Sequence, residues 1–339
     1  AVASYMSTKT DQVGDVGEGM TLCFDVGGST TDISALLPTG DSNGMGSSIT
    51  LIKQNSIRFA AQRVSNAASI DPNLKSVLQE VCRQSNPEII IPGLTVGAGP
   101  DKYNASTAPY FFDQVLDRLK TEDLPRLYTA IKARCPKLMA VNLYVTGLIM
   151  YYAGQLTNKL VKVVRKSLGG KFEKFTPVVS IKFAGKGARI FEWLSTTNYE
   201  DALNYYRQMF LQGVDQEEYQ SLLGNQWPNI DLAQQVSDDV KYEVSKGLAF
   251  NGSQSINVPS TESEAIEILG EDNFYFIKSS DGSTVPLSFD NAITPKMMSR
   301  LGNSFCQTRN NGSGFQCSRF VNFAGVFYNA ATSNNLKTD

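Results

Sequence analysis

The sequence predicts a mixed α/β fold, and three observations lead to that class. An apolar segment, a Gly-rich turn and a second apolar segment follow one another over residues 21–37, as in two strands joined by a turn. A later apolar strand pattern passes through the Gly-rich turn AGKGAR into a helical pattern. Long stretches between these two units carry apolar residues at helical spacing. Together they predict a mixed β-sheet flanked by helices.

Strands come first in the chain, and a helix and a loop follow them. Residues 48–54 (SITLIKQ) predict a third strand. Residues 57–68 have the apolar spacing of a helix. Residues 86–109 contain several prolines and glycines, so they predict a loop-rich connection.

Helices dominate the middle of the chain. Residues 111–119 and 124–133 are amphipathic, and residues 139–168 predict a long helix that ends at a pair of glycines. Residues 138–158 contain no charged side chain, but their asparagine, glutamine, threonine and glycine residues make them too polar for a membrane span. We therefore expect a buried helix there, and no membrane span.

Shorter elements follow in the C-terminal part of the sequence. Residues 177–183 predict a strand, and residues 190–196 predict the helix behind the Gly-rich turn. The remaining predicted elements are helices at 201–219 and 233–248, short strands at 273–278 and 285–289, and a helix at 320–331.

The composition excludes several classes of chemistry. The 339 residues include no histidine, so Ser-His-Asp and Cys-His catalysis and imidazole-ligated zinc sites are excluded within this chain. A formal net charge of −2 gives no reason to expect binding to nucleic acid or to an anionic membrane. The five cysteines show no C-x-x-C spacing, which favours reduced thiols in a cytoplasmic protein.

The segment DVGGSTTD is the strongest functional pattern in the sequence. An apolar strand leads to the carboxylate of Asp25, and Gly27 and Gly28 let the backbone approach an anion. Backbone N–H groups of such a turn bind phosphate oxygens, and Ser29 and Thr30 add hydroxyl donors. Asp25 beside a phosphate would hold hydrated Mg²⁺ or orient an attacking water. On this segment alone, an ordinary Gly-rich hairpin with a polar tip is an equally good interpretation.

The turn AGKGAR after the later strand is a second candidate site. It leads into a helix whose first N–H groups would bind an anion or a sugar edge, and Arg189 would stack on a base. Its spacing is neither that of a P-loop nor that of a dinucleotide fingerprint. Because such turns are common, a purely structural role is the better interpretation of this turn alone.

The two Gly-rich segments together resemble motifs of the superfamily of actin, heat-shock-chaperone ATPases and sugar kinases. That superfamily carries a phosphate motif of the type D-x-G-x-x-T-x-D on a β-hairpin, and a Gly-rich adenosine motif follows much later. Residues 25–32 match the first motif closely. Residues 185–190 match the second in part, because Lys186 stands where the family usually has a second glycine. Residues 1–5 and 241–249 resemble the two connecting helices of the superfamily.

The resemblance implies a role for each matching residue. Asp25 and Thr30 would be catalytic, and Asp25 would contact Mg²⁺ through water. The residues implied in binding ATP or ADP are Gly27, Gly28, Ser29, Thr31, Asp32, Gly185, Lys186, Gly187, Arg189, Lys162 and Arg165. Lys186 would either collide with the nucleotide or provide it with an extra cation.

The resemblance also implies a fold and an organisation of the chain. The fold would be a ribonuclease H-like, actin-type ATPase lobe with a helical inserted subdomain. Residues 1–55 and 172–250 would form the nucleotide-binding α/β subdomain, residues 56–171 the mainly helical insert, and residues 251–339 a C-terminal α/β tail.

The superfamily's first phosphate motif is not found in the sequence, so we expect the C-terminal lobe of a two-lobed ATPase. Such a lobe would bind and hydrolyse ATP with Mg²⁺ only together with an N-terminal lobe, and would have little activity alone. Closure of the two lobes would be coupled to self-assembly or to binding of a protein client. The alternatives are a scaffold protein with an actin-like fold that does not depend on nucleotide, and a small-molecule kinase of the same fold.

Overall fold

A computed structural model of the protein describes most of the N-terminal two hundred or so residues and several short pieces beyond them. The described residues are 20–40, 47–57, 59–85, 88–168, 180–195, 199–214, 229–230, 256–257, 275–278, 284–287, 315–316, 327, 330 and 331. They form a mixed sheet flanked by helices, which confirms the predicted α/β class.

The main sheet has six strands in the order β5-β4-β1-β2-β3-β6. Their bounds are β1 Thr21–Val26, β2 Thr31–Gly40, β3 Ser47–Ile57, β4 Ser180–Ala184, β5 Asn229–Ile230 and β6 Ile256–Asn257. The strands β1, β2 and β3 are antiparallel neighbours, whereas β4 lies parallel to β1. A three-stranded antiparallel sheet contains β7 Tyr275–Lys278, β8 Thr284–Leu287 and β9 Phe315–Gln316.

The strand β1 lies inside the main sheet and is covered on both faces. Leu22, Phe24 and Val26 point to one face and are buried, and Cys23 on the opposite face is buried as well. The neighbouring β4 contributes Phe183, whose ring meets that of Phe24 edge to face at 5.3 Å between centroids. The sequence patterns that predict these strands therefore reflect a buried central position in the sheet.

Seven α-helices are described. Their bounds are α1 Ala61–Asn66, α2 Leu74–Ser85, α3 Ala108–Arg118, α4 Leu124–Arg134, α5 Pro136–Leu168, α6 Glu192–Ser195 and α7 Tyr199–Gly213. Three short 3₁₀ helices span Ala67–Ile70, Thr121–Asp123 and Lys186–Phe191. The helices and the sheet share one continuous hydrophobic core.

The helix α5 is buried as predicted. No side chain from Leu138 to Thr157 is exposed. Two of its polar side chains form internal hydrogen bonds: the amide N–H of Asn142 donates to the carbonyl of Ile190 at 2.9 Å, and the hydroxyl of Thr157 donates to its own helix at 2.8 Å. Among the described residues, no helix combines the length and the apolarity that a membrane span requires.

The predicted elements agree with the structure in most places, with three differences. The strand β3 continues to Ile57, so the helix predicted over 57–68 begins only at Ala61 and passes into a 3₁₀ turn. No element is predicted between residues 68 and 86, yet α2 lies there. The helix predicted over 190–196 is preceded by 3₁₀ structure from Lys186.

Several predictions fall wholly or partly outside the described residues. They concern the helix at 233–248, the two connecting helices at 1–5 and 241–249, and most of the helix at 320–331. Parts of the strands predicted at 177–183, 273–278 and 285–289 and the end of the helix at 201–219 also lie outside the described residues. The division of the chain into 1–55 with 172–250, 56–171 and 251–339 stays a prediction.

Candidate functional site

The two Gly-rich segments meet at one edge of the main sheet. Because β1 and β4 are parallel neighbours, with Asp25 beside Ala184, the loops that follow them lie side by side. A Cβ atom built on Gly185 would lie 2.6 Å from the Asp25 carboxylate Oδ1 and 2.7 Å from the Val26 carbonyl oxygen. The fold thus brings together two Gly-rich segments that are far apart in the sequence.

The turn between β1 and β2 presents an open backbone. Gly27 N–H donates to the carbonyl of Thr30 at 2.9 Å and closes the turn. Gly28 and Ser29 are exposed, and within the described residues their N–H groups donate to no backbone carbonyl. A Cβ atom at Gly28 would meet nothing within 4 Å. Backbone donors at an exposed turn of this kind are suited to binding an anion.

The two glycines of this turn leave its backbone open without adopting an unusual conformation. Among the described residues, positive φ angles occur at Gly93, Gly97, Gly99 and Gly185, and neither Gly27 nor Gly28 adopts one. Their contribution is the missing side chain, which leaves the backbone accessible.

The helix α1 supports the turn from the other side. The N–H groups of Ala61 and Gln62 donate to the carbonyls of Gly27 and Gly28, at 3.3 and 2.8 Å. These bonds use donors that a helix start otherwise leaves without a partner, and they fix the turn against the helix.

Thr31 faces the interior rather than the turn. Its side chain is fully buried, and its hydroxyl donates to the carbonyl of Phe59 at 2.6 Å. Thr31 pairs with Val26 across the hairpin, so it lies on the face of the sheet that carries the apolar core. Of the hydroxyl residues in the motif, Ser29 is the most accessible, and Thr30 is half-buried.

Two carboxylates lie opposite each other across the hairpin. Asp25 on β1 pairs with Asp32 on β2, and both side chains are half-buried on the same face of the sheet. Directly opposite residues of an antiparallel pair have Cβ atoms about 5 Å apart, so the two carboxylates lie close together at this edge of the sheet.

The second Gly-rich turn depends on its glycines for conformation and for space. Gly185 has φ +80°, in the region that favours glycine. A Cβ atom on Gly187 would lie 2.5 Å from the carbonyl oxygens of Gly27 and Val26. The turn therefore packs its backbone directly on the backbone of the first turn, which no residue with a side chain would permit.

The positively charged side chains of this turn, Lys186 and Arg189, interact with residues of the neighbouring helices. The ammonium group of Lys186 forms an ion pair with the carboxylate of Asp117 on α3. Arg189 is half-buried and lies near Glu192 and Tyr128. Burial raises the pKa of the Glu192 carboxyl above its ordinary value, and the nearby positive charge of Arg189 partly opposes that rise. Burial likewise raises the pKa of the Tyr128 hydroxyl.

Lys162 and Arg165 lie in the second half of α5. Their side chains are outside the described residues, so their predicted contact with a base stays a prediction.

The residues at the sheet edge fit a hydrated magnesium ion. Mg²⁺ keeps several waters and is held by one or two carboxylates together with substrate phosphates. Asp25 and Asp32 provide two carboxylates beside an exposed turn, where the N–H groups of Gly28 and Ser29 donate to no described backbone carbonyl. Among the described residues, no cluster of three or more acidic or cysteine side chains forms a metal cage, so an ion here would need oxygens from a bound phosphate.

Three residues that support the site are missed in the sequence. Asp117 on α3 pairs with Lys186 of the second turn, and Asp113 on the same helix accepts a hydrogen bond from Ser65 of α1. The only available signal is the spacing of the two aspartates, four residues apart on one face of a predicted helix, and that spacing does not reveal a partner.

Comparison with known proteins adds no assignment to this geometry. A scan against protein-family models finds no matching family, and a search of curated proteins finds no similar one.

Proposed function

We propose that this chain is the nucleotide-binding C-terminal lobe of an ATPase of the actin and heat-shock-chaperone type. It would bind ATP or ADP with Mg²⁺ at the edge formed by the two Gly-rich turns. Hydrolysis would require an N-terminal lobe that supplies the other phosphate contacts, and closure would be coupled to self-assembly or to a protein client.

The observation that carries the proposal is the direct contact between two motifs that are far apart in the sequence. Gly185 and Gly187 lie against Asp25, Val26 and Gly27 with no room for a side chain. A hairpin with a polar tip needs no such neighbour, whereas a nucleotide needs a phosphate site and a nucleoside site side by side. The mixed sheet, with the hairpin strand β1 next to the parallel β4, supports a ribonuclease H-like, actin-type lobe.

Each residue at the edge has a role in this proposal. The exposed N–H groups of Gly28 and Ser29, with the hydroxyls of Ser29 and Thr30, would bind phosphate oxygens. Asp25 would orient a water for attack, and Asp25 and Asp32 would hold hydrated magnesium. The ion, when bound, neutralises the charge of the phosphates. Thr31 would support the hairpin from the core rather than bind the nucleotide.

One observation favours a scaffold protein as the second candidate. Lys186 lies in the turn where the superfamily usually has glycine, and it is engaged with Asp117. A protein that had lost its dependence on nucleotide would tolerate a long side chain there. The same lysine is compatible with binding, because its pairing directs the side chain towards α3.

The first test is a calorimetric titration of the chain with Mg·ADP and Mg·ATP. We expect weak binding, with a Kd of about 0.1 to 1 mM, because half of the phosphate contacts would come from the other lobe. Asp25→Asn should abolish the dependence of binding on Mg²⁺, and Asp101→Asn on the loop before α3 is the matched control. Absence of heat at millimolar nucleotide would favour the scaffold protein.

The second test measures turnover in a protein that contains both lobes. Asp25→Ala should lower ATP hydrolysis by about 10²-fold or more, because a group that orients the attacking water is lost. Asp101→Ala should leave turnover unchanged. Equal turnover in Asp25→Ala and in the unchanged protein would contradict the catalytic assignment.

The proposal includes a cytoplasmic location, where thiols remain reduced. Cys82 and Cys135 are buried free thiols, which supports it.

A further inference from the structure

The helix α3 contacts both α1, which holds the first Gly-rich turn, and Lys186 in the second turn. On α3, the carboxylate of Asp113 accepts a hydrogen bond from the hydroxyl of Ser65 at 2.8 Å. One helical turn further on, the carboxylate of Asp117 pairs with the ammonium group of Lys186. Residues four apart lie on the same face of a helix, so a single face of α3 makes both contacts.

The two residues that α3 contacts, Ser65 and Lys186, are associated with different Gly-rich turns of the candidate site. Ser65 lies in α1, the helix whose first N–H groups hold the carbonyls of Gly27 and Gly28. Lys186 stands between the two glycines that pack on Asp25 and Gly27. A movement of α3 would therefore act on both turns at once.

An ordinary surface ion pair is the alternative explanation. The side chains of Asp117 and Lys186 are 48% and 57% exposed, and pairs of that exposure usually contribute little. The position of Lys186 is what distinguishes this pair. Gly185 and Gly187, the residues on either side of Lys186, pack against the first turn. The direction of the Lys186 side chain therefore decides whether the proposed nucleotide site beside that turn stays open.

We propose that Asp117 is a positioning residue of the nucleotide site. By holding Lys186 against α3, it keeps the second turn in place and the ammonium group away from the nucleoside. Asp113 holds the other side of the site through Ser65 and α1. Occupation of the site and the position of α3 are then coupled, and the coupling acts in both directions. This inference rests on the proposed function.

The test compares the affinity for Mg·ADP in the full chain and in variants of the pair. Asp117→Asn and Lys186→Gln should each raise the Kd about two- to fivefold, the range for a half-exposed ion pair. The double variant should bind no more weakly than either single variant, because both remove the same contact. Exchanging the two residues, Asp117→Lys with Lys186→Asp, should restore most of the affinity.

The pair of Arg134 and Glu80 provides the matched control. Its atoms lie 2.5 Å apart, both side chains are 41% exposed, and it joins α4 to α2 rather than to a turn. Glu80→Gln should leave the Kd unchanged. Hydrogen exchange without nucleotide should be faster at the amides of residues 186–191 in Asp117→Asn and unchanged there in Glu80→Gln.

The possible results separate this inference from the proposed function. If the unchanged chain does not bind Mg·ADP, both are overturned. If it binds, and Asp117→Asn and Lys186→Gln bind equally well, only the inference is overturned. Equal loss of affinity in Glu80→Gln, or no rescue by the exchanged pair, would show general destabilisation and also overturn it.

Discussion

Gly185 combines two constraints at a single residue. Its φ of +80° is a conformation that residues with a Cβ atom rarely adopt, and a Cβ atom would lie 2.6 Å from the Asp25 carboxylate. We expect Gly185→Ala to lower the free energy of unfolding by about 2 to 4 kcal/mol, because strain and steric overlap add. Denaturation by urea measures this change.

The variant Gly97→Ala distinguishes the cost of backbone strain from the cost of steric overlap. Gly97 has φ +84°, almost the same angle, but a Cβ atom there would meet nothing within 4 Å. Alanine at this position should cost only the strain, about 1 kcal/mol. Equal losses in the two variants would mean that the contact between Gly185 and Asp25 imposes no cost.

Thr31 shows what the sequence could predict about single residues and what it could not. Three consecutive hydroxyl residues follow the glycines, and the motif alone gives them similar roles. Side chains alternate along a strand, so the face of Thr31 follows once Val26 is known to be its partner. The register depends on the turn closed by Gly27 and Thr30, and that bond is not visible in the sequence.

The helices α5 and α7 pack closely against each other. Their backbones approach at glycines: a Cβ atom on Gly154 would lie 2.0 Å from the Phe210 carbonyl oxygen, and one on Gly213 would lie 2.0 Å from that of Tyr151. A turn or two away, Gly147 faces the hydroxyl of Tyr205, which donates to the carbonyl of Leu143 at 2.8 Å. The polar residues that argue against a membrane span in this segment thus include the glycines that let the two helices touch.

Alanine at these glycines should have costs that depend on what the new Cβ atom meets. Gly154→Ala should lower the free energy of unfolding by about 2 to 3 kcal/mol, because a backbone carbonyl must move. Gly147→Ala should also destabilise, since its Cβ atom would lie 2.3 Å from the Tyr205 hydroxyl. Thermal or urea unfolding of both variants measures the effect.

A second substitution distinguishes the two sites. Removing the hydroxyl with Tyr205→Phe should recover about 1 to 2 kcal/mol in the Gly147→Ala background, and nothing in the Gly154→Ala background. Additive effects of Gly147→Ala and Tyr205→Phe would contradict the contact.

The elements themselves could be predicted where one pattern dominates. The apolar spacing of α5 and the apolar run of β1 predict both correctly, because both elements are mostly buried. The start of the segment behind β4 could not be predicted. Its 3₁₀ form follows from the positive φ at Gly185 and from the bond between Asn142 and the Ile190 carbonyl, which comes from a distant helix.

For the whole molecule, the sequence predicts a mixed sheet but not how its parts contact one another. The adjacency of the two Gly-rich turns is expected only through a resemblance, because local patterns do not say that β4 pairs with β1. The pairing of Lys186 with Asp117 has no signal at all in the sequence, since any of several carboxylates would serve equally well by charge.

The buried core of the whole molecule makes its stability sensitive to alkaline pH. Burial raises the pKa of the Cys82 thiol to about 11 and that of the Cys135 thiol to about 12. In the unfolded chain both thiols ionise near pH 9, whereas the folded protein keeps them protonated. Their contribution to stability is therefore complete below pH 9 and decreases as the pH rises towards 11 and 12.

We expect the free energy of unfolding to fall by about 1 kcal/mol per pH unit for each thiol above pH 9. Urea unfolding at intervals between pH 8 and 10.5 measures the slope. Cys82→Ala should reduce the slope by that amount. Val81→Ala, which removes a neighbouring buried side chain without a titrating group, should lower stability equally at every pH. A slope in Cys82→Ala identical to that of the unchanged protein would mean that the thiol ionises as readily in the fold as outside it.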